Sequence, residues 1–117
     1  MGLTYIEGKV TGKNETSATL EFLVDSGANY TLLPENVWKK LGLTAKRTQT
    51  FILADGTKIE RGISECHIEL LENEGHTPVI LGEAGDDPLL GVVTLEEFGL
   101  VLNPFNRMLQ PMRMLLA

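Results

Sequence analysis

Apolar and polar residues alternate along much of the chain, and this alternation predicts a fold built mainly from short strands. The clearest example spans residues 18–24, whose apolar members share one face: Ala18, Leu20, Phe22 and Val24. Similar runs predict strands at residues 4–10, 48–53, 58–70, 78–81, 100–102 and 108–109. Because the 12 glycines also favour turns and hairpins, we expect an all-β, barrel-like domain rather than a helix bundle.

Two short segments have the spacing and boundary residues of helices instead. In residues 34–41 the apolar side chains form one face, Pro34 suits the first helical position, and Gly42 suits the position after the last turn. In residues 94–98, Thr94 is a suitable N-cap. The prediction is therefore a β domain with one or two short helices.

The dipeptide Asp55-Gly56 predicts a tight hairpin between the strands at residues 48–53 and 58–70. An Asp-Gly pair is favoured at such a turn because both residues tolerate positive φ. Within the second strand the apolar residues change phase part-way along, and this change predicts a bulge or bend near Ser64.

Composition and charge exclude several classes of protein. The 117 residues suffice for one domain, so residues 1–117 are treated as a single unit. The net charge of −6 argues against a nucleic-acid-binding module, and no apolar run approaches the roughly 18 residues of a membrane span. The first residues lack the charged and apolar regions of a signal peptide. Since Cys66 is the single cysteine, we expect no disulfide framework, no thiolate metal site, no cofactor and a cytoplasmic location.

The segment with the strongest chemical signal is Asp25-Ser26-Gly27, which follows directly on an apolar strand. Two carboxyl groups held close together can share one proton and activate a water molecule. The simpler interpretation is a solvated turn capped by Asp25, because turns often use these residue types. Apolar positions before Asp25 and after Thr31 indicate a turn inside the protein, and this context favours the catalytic interpretation.

Three segments of the chain, taken in order, form a combination more specific than any one of them. The first is the run Leu23-Val24-Asp25-Ser26-Gly27-Ala28. The second is the hairpin segment Leu53-Ala54-Asp55-Gly56-Thr57. The third is Leu89-Leu90-Gly91, followed by a short helix and a final strand. Together they resemble the retropepsin-like aspartic proteases, in particular their small single-domain prokaryotic members, with the second segment at the position of the family's flap hairpin. The resemblance covers nearly the whole chain and implies a closed β-barrel half-lobe with a flap.

The resemblance also implies a homodimeric endopeptidase, since a retropepsin protomer supplies one aspartate of a two-aspartate site. Asp25 would be catalytic and would form a dyad with Asp25 of the partner subunit. Ser26 and Gly27 would support the dyad. The residues that would bind an extended peptide or an unfolded protein segment are Gly27, Ala28, Asn29, Ala54, Asp55, Gly56, Thr57, Leu89 and Leu90.

Two residues of this chain differ from the viral members of the family at positions that would form one ion pair. Viral relatives carry an acidic residue at the position of Asn29 and an arginine at the position of Val92, and these would form an ion pair near the dimer interface. Both are absent here, so no charge is left unpaired. The hairpin tip also lacks the several glycines of viral flaps and the tyrosine of pepsin-type flaps.

Other interpretations stay open. A dimerisation or peptide-binding module with weak or no proteolysis would have the same fold, and an unrelated ligand-binding barrel is a more distant alternative. Five other residues give weaker chemical signals. Cys66 is interpreted as a buried thiol, and His67 and His76 as solvated histidines, the second in a polar turn. Asp86 and Asp87 are interpreted as acidic residues of a loop. The apolar tail, residues 112–117, is either disordered or a strand paired across the dimer, and burial against a partner is favoured.

Overall fold

The computed structural model describes residues 3–113 and 115–116, so the predictions made for Met1, Gly2, Met114 and Ala117 lie outside the described residues. In this part of the chain the elements are β1 (Tyr5–Thr11), a 3-10 turn (Lys13–Glu15), β2 (Ser17–Val24), β3 (Thr31–Leu33), α1 (Glu35–Lys40), β4 (Arg47–Ile52), β5 (Lys58–Leu70), β6 (Asn73–Leu81), β7 (Leu89–Leu90), α2 (Val92–Glu97), β8 (Leu100–Leu102) and β9 (Leu109–Pro111).

Seven strands of the described region form one sheet in the order β1-β2-β7-β3-β6-β5-β4, and a further pairing of β1 with the end of β5 closes it into a barrel. β4 remains outside the closed ring, because it pairs with β5 over the first half of that strand. β8 and β9 form a separate two-stranded sheet. The structure is therefore the expected barrel with two short α-helices and a projecting hairpin.

The core fills the barrel with the inward residues of the strands. In β2, Phe22 and Val24 are buried as the alternation predicts, whereas Ala18 and Leu20 are only partly buried against the same core. Other strands add Val10, Leu33, Ile68, Leu70, Val79 and Leu90. Burying a side chain of this size contributes about 1.5–3 kcal/mol, so the core is the main source of stability in a domain this small.

α1 packs on the barrel at the predicted place, with one correction. Pro34 has ψ of 159° and caps the helix from outside rather than occupying its first turn. Gly42 follows the helix with φ of +69°, as predicted for the residue after the last turn. The Trp38 indole Nε1 donates a hydrogen bond of 2.8 Å to the Gly82 carbonyl, which ties the helix to the loop after β6.

Of the two alternatives predicted near Ser64, a bulge or a bend, the bulge is wrong. β5 pairs with β6 without interruption from Ile63, which is opposite Ile80, to Leu70, which is opposite Asn73. The apolar phase changes because the two halves of β5 bury opposite faces. The first half turns odd-numbered residues toward a cleft, and the second half turns even-numbered residues into the barrel core.

α2 also differs from the prediction of a helix at residues 94–98. It begins at Val92, and Gly91 is its N-cap. Gly91 holds this position because its carbonyl accepts the 3.2 Å hydrogen bond from the Leu95 N–H. Thr94 is therefore a fully buried residue inside the helix and not a cap.

The strand β6 is longer than predicted, since it begins at Asn73 rather than Pro78. His76 consequently lies in a strand and not in a polar turn, with its ring centroid 5.6 Å from that of His67. His67 is half-buried rather than exposed, and its Nε2 lies 3.4 Å from a carboxylate oxygen of Glu74.

After β9 the Met112 N–H donates to the Gly99 carbonyl at 2.6 Å. Leu115 and Leu116 are exposed, so burial of the tail against a partner stays a prediction. Among the described residues, no helix has the length and apolar character needed to cross a membrane.

Candidate active site

Asp25 stands at the end of β2, where the chain leaves the barrel wall. The last residues of β2 pair in parallel with β7, Leu23 opposite Leu89 and Val24 opposite Leu90. The Asp25 N–H continues this ladder by donating to the Leu90 carbonyl at 3.1 Å. The backbone at Asp25 is thus held by the sheet, while its side chain is half-buried at the surface of a cleft.

The loop after Asp25 folds back on the carboxylate. Oδ1 of Asp25 accepts a hydrogen bond of 2.9 Å from the Gly27 N–H, and its backbone carbonyl accepts one of 3.1 Å from the Ala28 N–H. A Cβ at residue 27 would lie 3.2 Å from Oδ1, so glycine lets the loop approach the carboxylate closely. These contacts orient the Asp25 side chain.

The same loop is anchored from behind by α2. The N–H groups of Val92 and Val93 donate to the carbonyls of Ala28 and Asn29, both at 2.9 Å. A Cβ on Gly91 would lie 2.6 Å from the Tyr30 carbonyl oxygen, too close for any residue but glycine. In viral relatives an ion pair would join the segments of Asn29 and Val92. Here backbone hydrogen bonds join the same two segments.

Three buried threonines hold this arrangement together, and no pattern in the sequence predicts them as a group. The Thr94 hydroxyl lies 2.6 Å from that of Thr31 and 2.8 Å from that of Thr77. The Gly91 N–H donates to the Thr31 hydroxyl at 3.1 Å. All three hydroxyl groups are thereby paired in the core, where an unpaired one would be costly. The one indication in the sequence is that two of them, Thr31 and Thr77, are polar residues at inward positions of β3 and β6.

Asp25 lines a cleft of about 670 Å³ between the loop, the barrel wall and the projecting hairpin. Of the residues predicted for the site, the cleft contains Asp25, Gly27, Ala28, Asn29, Ala54 and Leu89. It also contains residues that the sequence reasoning missed: Tyr30, Leu32, Phe51, Ile52, Leu53, Ile59, Arg61, Ile80 and Asp86. The change of apolar phase in β5 could have indicated that Ile59 and its neighbours on the same face of the strand line the cleft.

The remaining predicted residues lie elsewhere. Leu90 is wrong as a substrate-binding residue, because its side chain is 0% exposed and packs in the core. Ser26 is exposed beside the cleft. Asp55, Gly56 and Thr57 are exposed at the hairpin tip, outside the cleft of the single chain.

The hairpin, residues 47–62, is called the flap here. Its turn is closed by hydrogen bonds from Leu53 N–H to the Thr57 carbonyl (2.8 Å) and from Gly56 N–H to the Leu53 carbonyl (2.9 Å). The sequence predicts positive φ at both residues of the Asp-Gly pair. Gly56 has φ of +87°, but Asp55 does not have positive φ, so this prediction is correct for Gly56 alone. Asp55 instead accepts from the Thr57 N–H at 2.8 Å, and hydrogen bonding by Thr57 lowers the pKa of its carboxyl.

The far wall of the cleft carries charge. Arg61 from the flap forms an ion pair with Glu83 on the loop after β6. Asp86 on that loop accepts a 2.7 Å hydrogen bond from the Glu83 N–H through Oδ2. The Asp86 carboxylate therefore caps its own turn, and the cleft floor between it and Asp25 is mainly apolar.

The other chemically notable group is the Cys66 thiol. Burial in the barrel raises its pKa to about 12, so it remains a protonated, unreactive thiol at neutral pH. In residues 3–113 and 115–116, no group of three His, Cys, Asp or Glu side chains is placed to hold a metal ion.

Comparison with known proteins agrees with this geometry. Residues 8–97 match the family model described as gag-polyprotein putative aspartyl protease. Among solved structures, the chain is similar to the solution structure of Simian Foamy Virus (mac) protease, with a TM-score of 0.58 and 17% identity over 80% of this chain and 92% of that one. No curated protein matches the sequence.

The structural likeness shows that the barrel and its projecting hairpin form a retroviral protease fold. The family match covers the Asp25 loop, the flap and the Leu89–Leu90 strand, which is well over half of the chain. The chain therefore belongs to the aspartyl protease family of gag polyproteins, and the retropepsin-like resemblance of its motifs is confirmed.

Proposed function

We propose that the protein is an aspartic endopeptidase that uses Asp25 together with Asp25 of the partner subunit. The observation that carries the proposal is the placement of Asp25. Its carboxylate lines a cleft of about 670 Å³ that residues of the flap also line, and its loop is fixed from two sides by backbone hydrogen bonds. Such a rigid placement is what a catalytic carboxylate requires.

A second carboxylate has to come from outside the single chain. Asp86 is the other acid of the cleft, but its side chain is engaged in capping the turn that begins at Glu83. A two-fold axis beside the exposed Ser26 would bring two copies of the Asp25 loop together, as an isologous interface does. Ser26 and Gly27 would then support the dyad across the axis.

Exposed apolar residues beside the barrel support dimerisation. The sheet of β8 and β9 and the segments next to it expose Val101, Phe105, Met108, Leu115 and Leu116, with Phe105 94% exposed. A two-stranded sheet by itself is only marginally stable in water. Pairing of this sheet with its copy in a second chain would bury these side chains and complete the active site.

In the dimer, one carboxylate would act as general base on a water molecule, and the protonated one would polarise the scissile carbonyl. Proton transfer back to the departing amine would return the pair to its singly protonated state. Two carboxyl groups that share one proton titrate as a unit, so activity should rise and then fall with pH.

The substrate would be an extended peptide or an unfolded protein segment. Leu32, Ile80 and Leu89 form an apolar floor for side chains of the substrate. The flap strands offer backbone groups for strand-like pairing with the peptide, and Ala54 of the flap already reaches the cleft. Asp55, Gly56 and Thr57 at the tip would join the contact when the flap closes.

The test compares purified wild type with Asp25→Asn on a peptide library and on an unfolded protein. We expect the variant to lose at least about a thousandfold in rate, because amides cannot replace a carboxylate base. Asp87→Asn is the matched control, since Asp87 is an exposed acid outside the cleft. Cleavage that survives Asp25→Asn would refute the assignment, and a chain that sediments as a monomer while fully active would refute the homodimer.

A peptide-binding or dimerisation module without proteolysis is the second candidate. It is favoured by the hydrogen bond from Gly27 N–H to Asp25, because this contact gives the carboxylate a purely structural role as a turn cap. In that case the wild type binds peptides without cutting them, and Asp25→Ala, which removes the turn cap, lowers stability while cleavage is absent in both proteins.

A further inference from the structure

We propose that Tyr30 is a positioning residue that holds the outer strand of the flap over the cleft. The inference rests on the proposed peptidase function for its kinetic consequence, but its structural consequence is measurable without any activity. It starts from the fact that β4 is the edge strand of the sheet, paired only with β5 in the described region. An edge strand of this kind needs further contacts to keep a defined position.

The backbone of Tyr30 is one of the most firmly held parts of the active-site loop. It lies between Asn29, whose carbonyl accepts from the Val93 N–H, and Thr31, which is fully buried. Its own carbonyl packs against Gly91, where even a methyl group has no room. The side chain of Tyr30 therefore extends from the same anchored loop that carries Asp25.

The side chain of Tyr30 reaches the flap through two contacts. The Arg47 Nη2 donates to the Tyr30 hydroxyl at 3.1 Å, and the guanidinium lies 5.8 Å from the ring centroid. The edge-to-face contact with Phe51 has a centroid distance of 6.2 Å and an interplanar angle of 87°. Gln49 accepts a hydrogen bond of 2.9 Å from Arg47 Nη1, which orients the guanidinium toward Tyr30.

Arg47 and Phe51 lie at the two ends of β4, so Tyr30 holds the strand near its base and near its tip. Tyr30 and Phe51 also form part of the wall between the cleft and a neighbouring groove of about 480 Å³. Without the ring, the two hollows would merge and the flap would lose its support on this side. The opposite strand would still be held by the ion pair of Arg61 with Glu83.

The stability of the closed flap against local opening is measured by hydrogen exchange of the amides in residues 47–58, in the wild type and in two variants. Tyr30→Phe deletes only the hydrogen bond to Arg47, and we expect exchange to accelerate about two- to fivefold. Tyr30→Leu also deletes both ring contacts, and we expect about tenfold or more. Tyr5→Phe, a hydroxyl deletion on β1, is the matched control and should leave these amides unchanged, because β1 pairs with β5 only at residues 67–70, outside the flap.

The kinetic readout separates positioning from a general loss of structure. We expect Tyr30→Leu to raise KM about tenfold with little change in kcat or in the pH profile, because the flap binds peptide and the dyad is untouched. Tyr30→Phe should restore most of the affinity. If Tyr30→Leu does not fold, Arg47→Met is the substitute, since Arg47 is exposed and its loss removes the hydroxyl contact from the flap side.

The outcomes distinguish this inference from the proposed function. Flap exchange equal to wild type in both Tyr30→Leu and Arg47→Met overturns the inference, whatever the activity. A fall in kcat at constant KM also overturns it, because Tyr30 would then act on the dyad. Accelerated flap exchange in a protein that cleaves no peptide supports the role of Tyr30 and counts against the peptidase instead.

Discussion

Replacing Thr94 by valine tests the buried threonine group that anchors the active-site loop. Valine has nearly the same shape, so the change removes a hydroxyl without opening a cavity. The hydroxyl lies 2.6 Å and 2.8 Å from those of Thr31 and Thr77, and all three side chains are fully or almost fully buried. The variant therefore loses two hydrogen bonds in a place that water does not reach.

The magnitude follows from these contacts. Two buried hydrogen bonds contribute about 1–3 kcal/mol together, and the hydroxyl of Thr77 is left without a partner, which adds about 1 kcal/mol or more. We expect Thr94→Val to lower the free energy of unfolding by about 2–4 kcal/mol. In a domain of this length, 1 kcal/mol corresponds to roughly 3–6 °C in Tm, so Tm should fall by about 6–24 °C.

The assay is urea and thermal unfolding at one fixed protein concentration, because the proposed dimerisation would make apparent stability concentration-dependent. Thr94→Ser is the control, since it keeps the hydroxyl and loses one methyl group, at a cost of about 1 kcal/mol. The double variant Thr77→Val/Thr94→Val should be little worse than Thr94→Val alone, because it removes the unpaired hydroxyl as well. A Thr94→Val protein as stable as Thr94→Ser would refute the reasoning.

Two further predictions concern buried positions. Burial raises the pKa of the Cys66 thiol from 9.0 to about 12 in the folded state. The protonated thiol therefore contributes its full stabilisation below about pH 9, and this contribution is lost as pH rises toward 12. Cys66→Ala should flatten the fall in stability over this range, as measured by urea unfolding at several pH values. Gly91→Ala places a methyl group 2.6 Å from the Tyr30 carbonyl oxygen and should cost several kcal/mol or prevent folding, whereas Gly85→Ala, with open space but φ of +85°, should cost about 1–2 kcal/mol by the same measurement.

Local patterns were sufficient to predict the elements that depend on nearby residues. The alternation in β2, the glycine after α1 and the turn at Gly56 are set by period-two burial and by positive φ, both of which are visible within a few residues. The position of Asp25 was predictable for the same reason, since it follows directly on β2. These features carry most of the fold and the centre of the candidate site.

The errors have a common cause, which is pairing between distant segments. Leu90 looked like a cleft residue beside Leu89, but the register of β7 with β2 turns it into the core. Thr94 looked like a helix cap, yet its hydroxyl is directed to Thr31 and Thr77 across the barrel. Which face of a strand is covered, and by what, depends on partners tens of residues away, and no local pattern contains that information.

The site combines two kinds of support, and they have different consequences for evolution of the cleft. Backbone hydrogen bonds and the glycine at residue 91 hold the loop of Asp25, so its geometry depends little on the identity of neighbouring side chains. The flap is held by side chains instead, by Tyr30 on one strand and by Arg61 with Glu83 on the other. If the proposed function holds, substitutions in these side chains should therefore change which peptides bind and how tightly, while the placement of the Asp25 carboxylate stays the same.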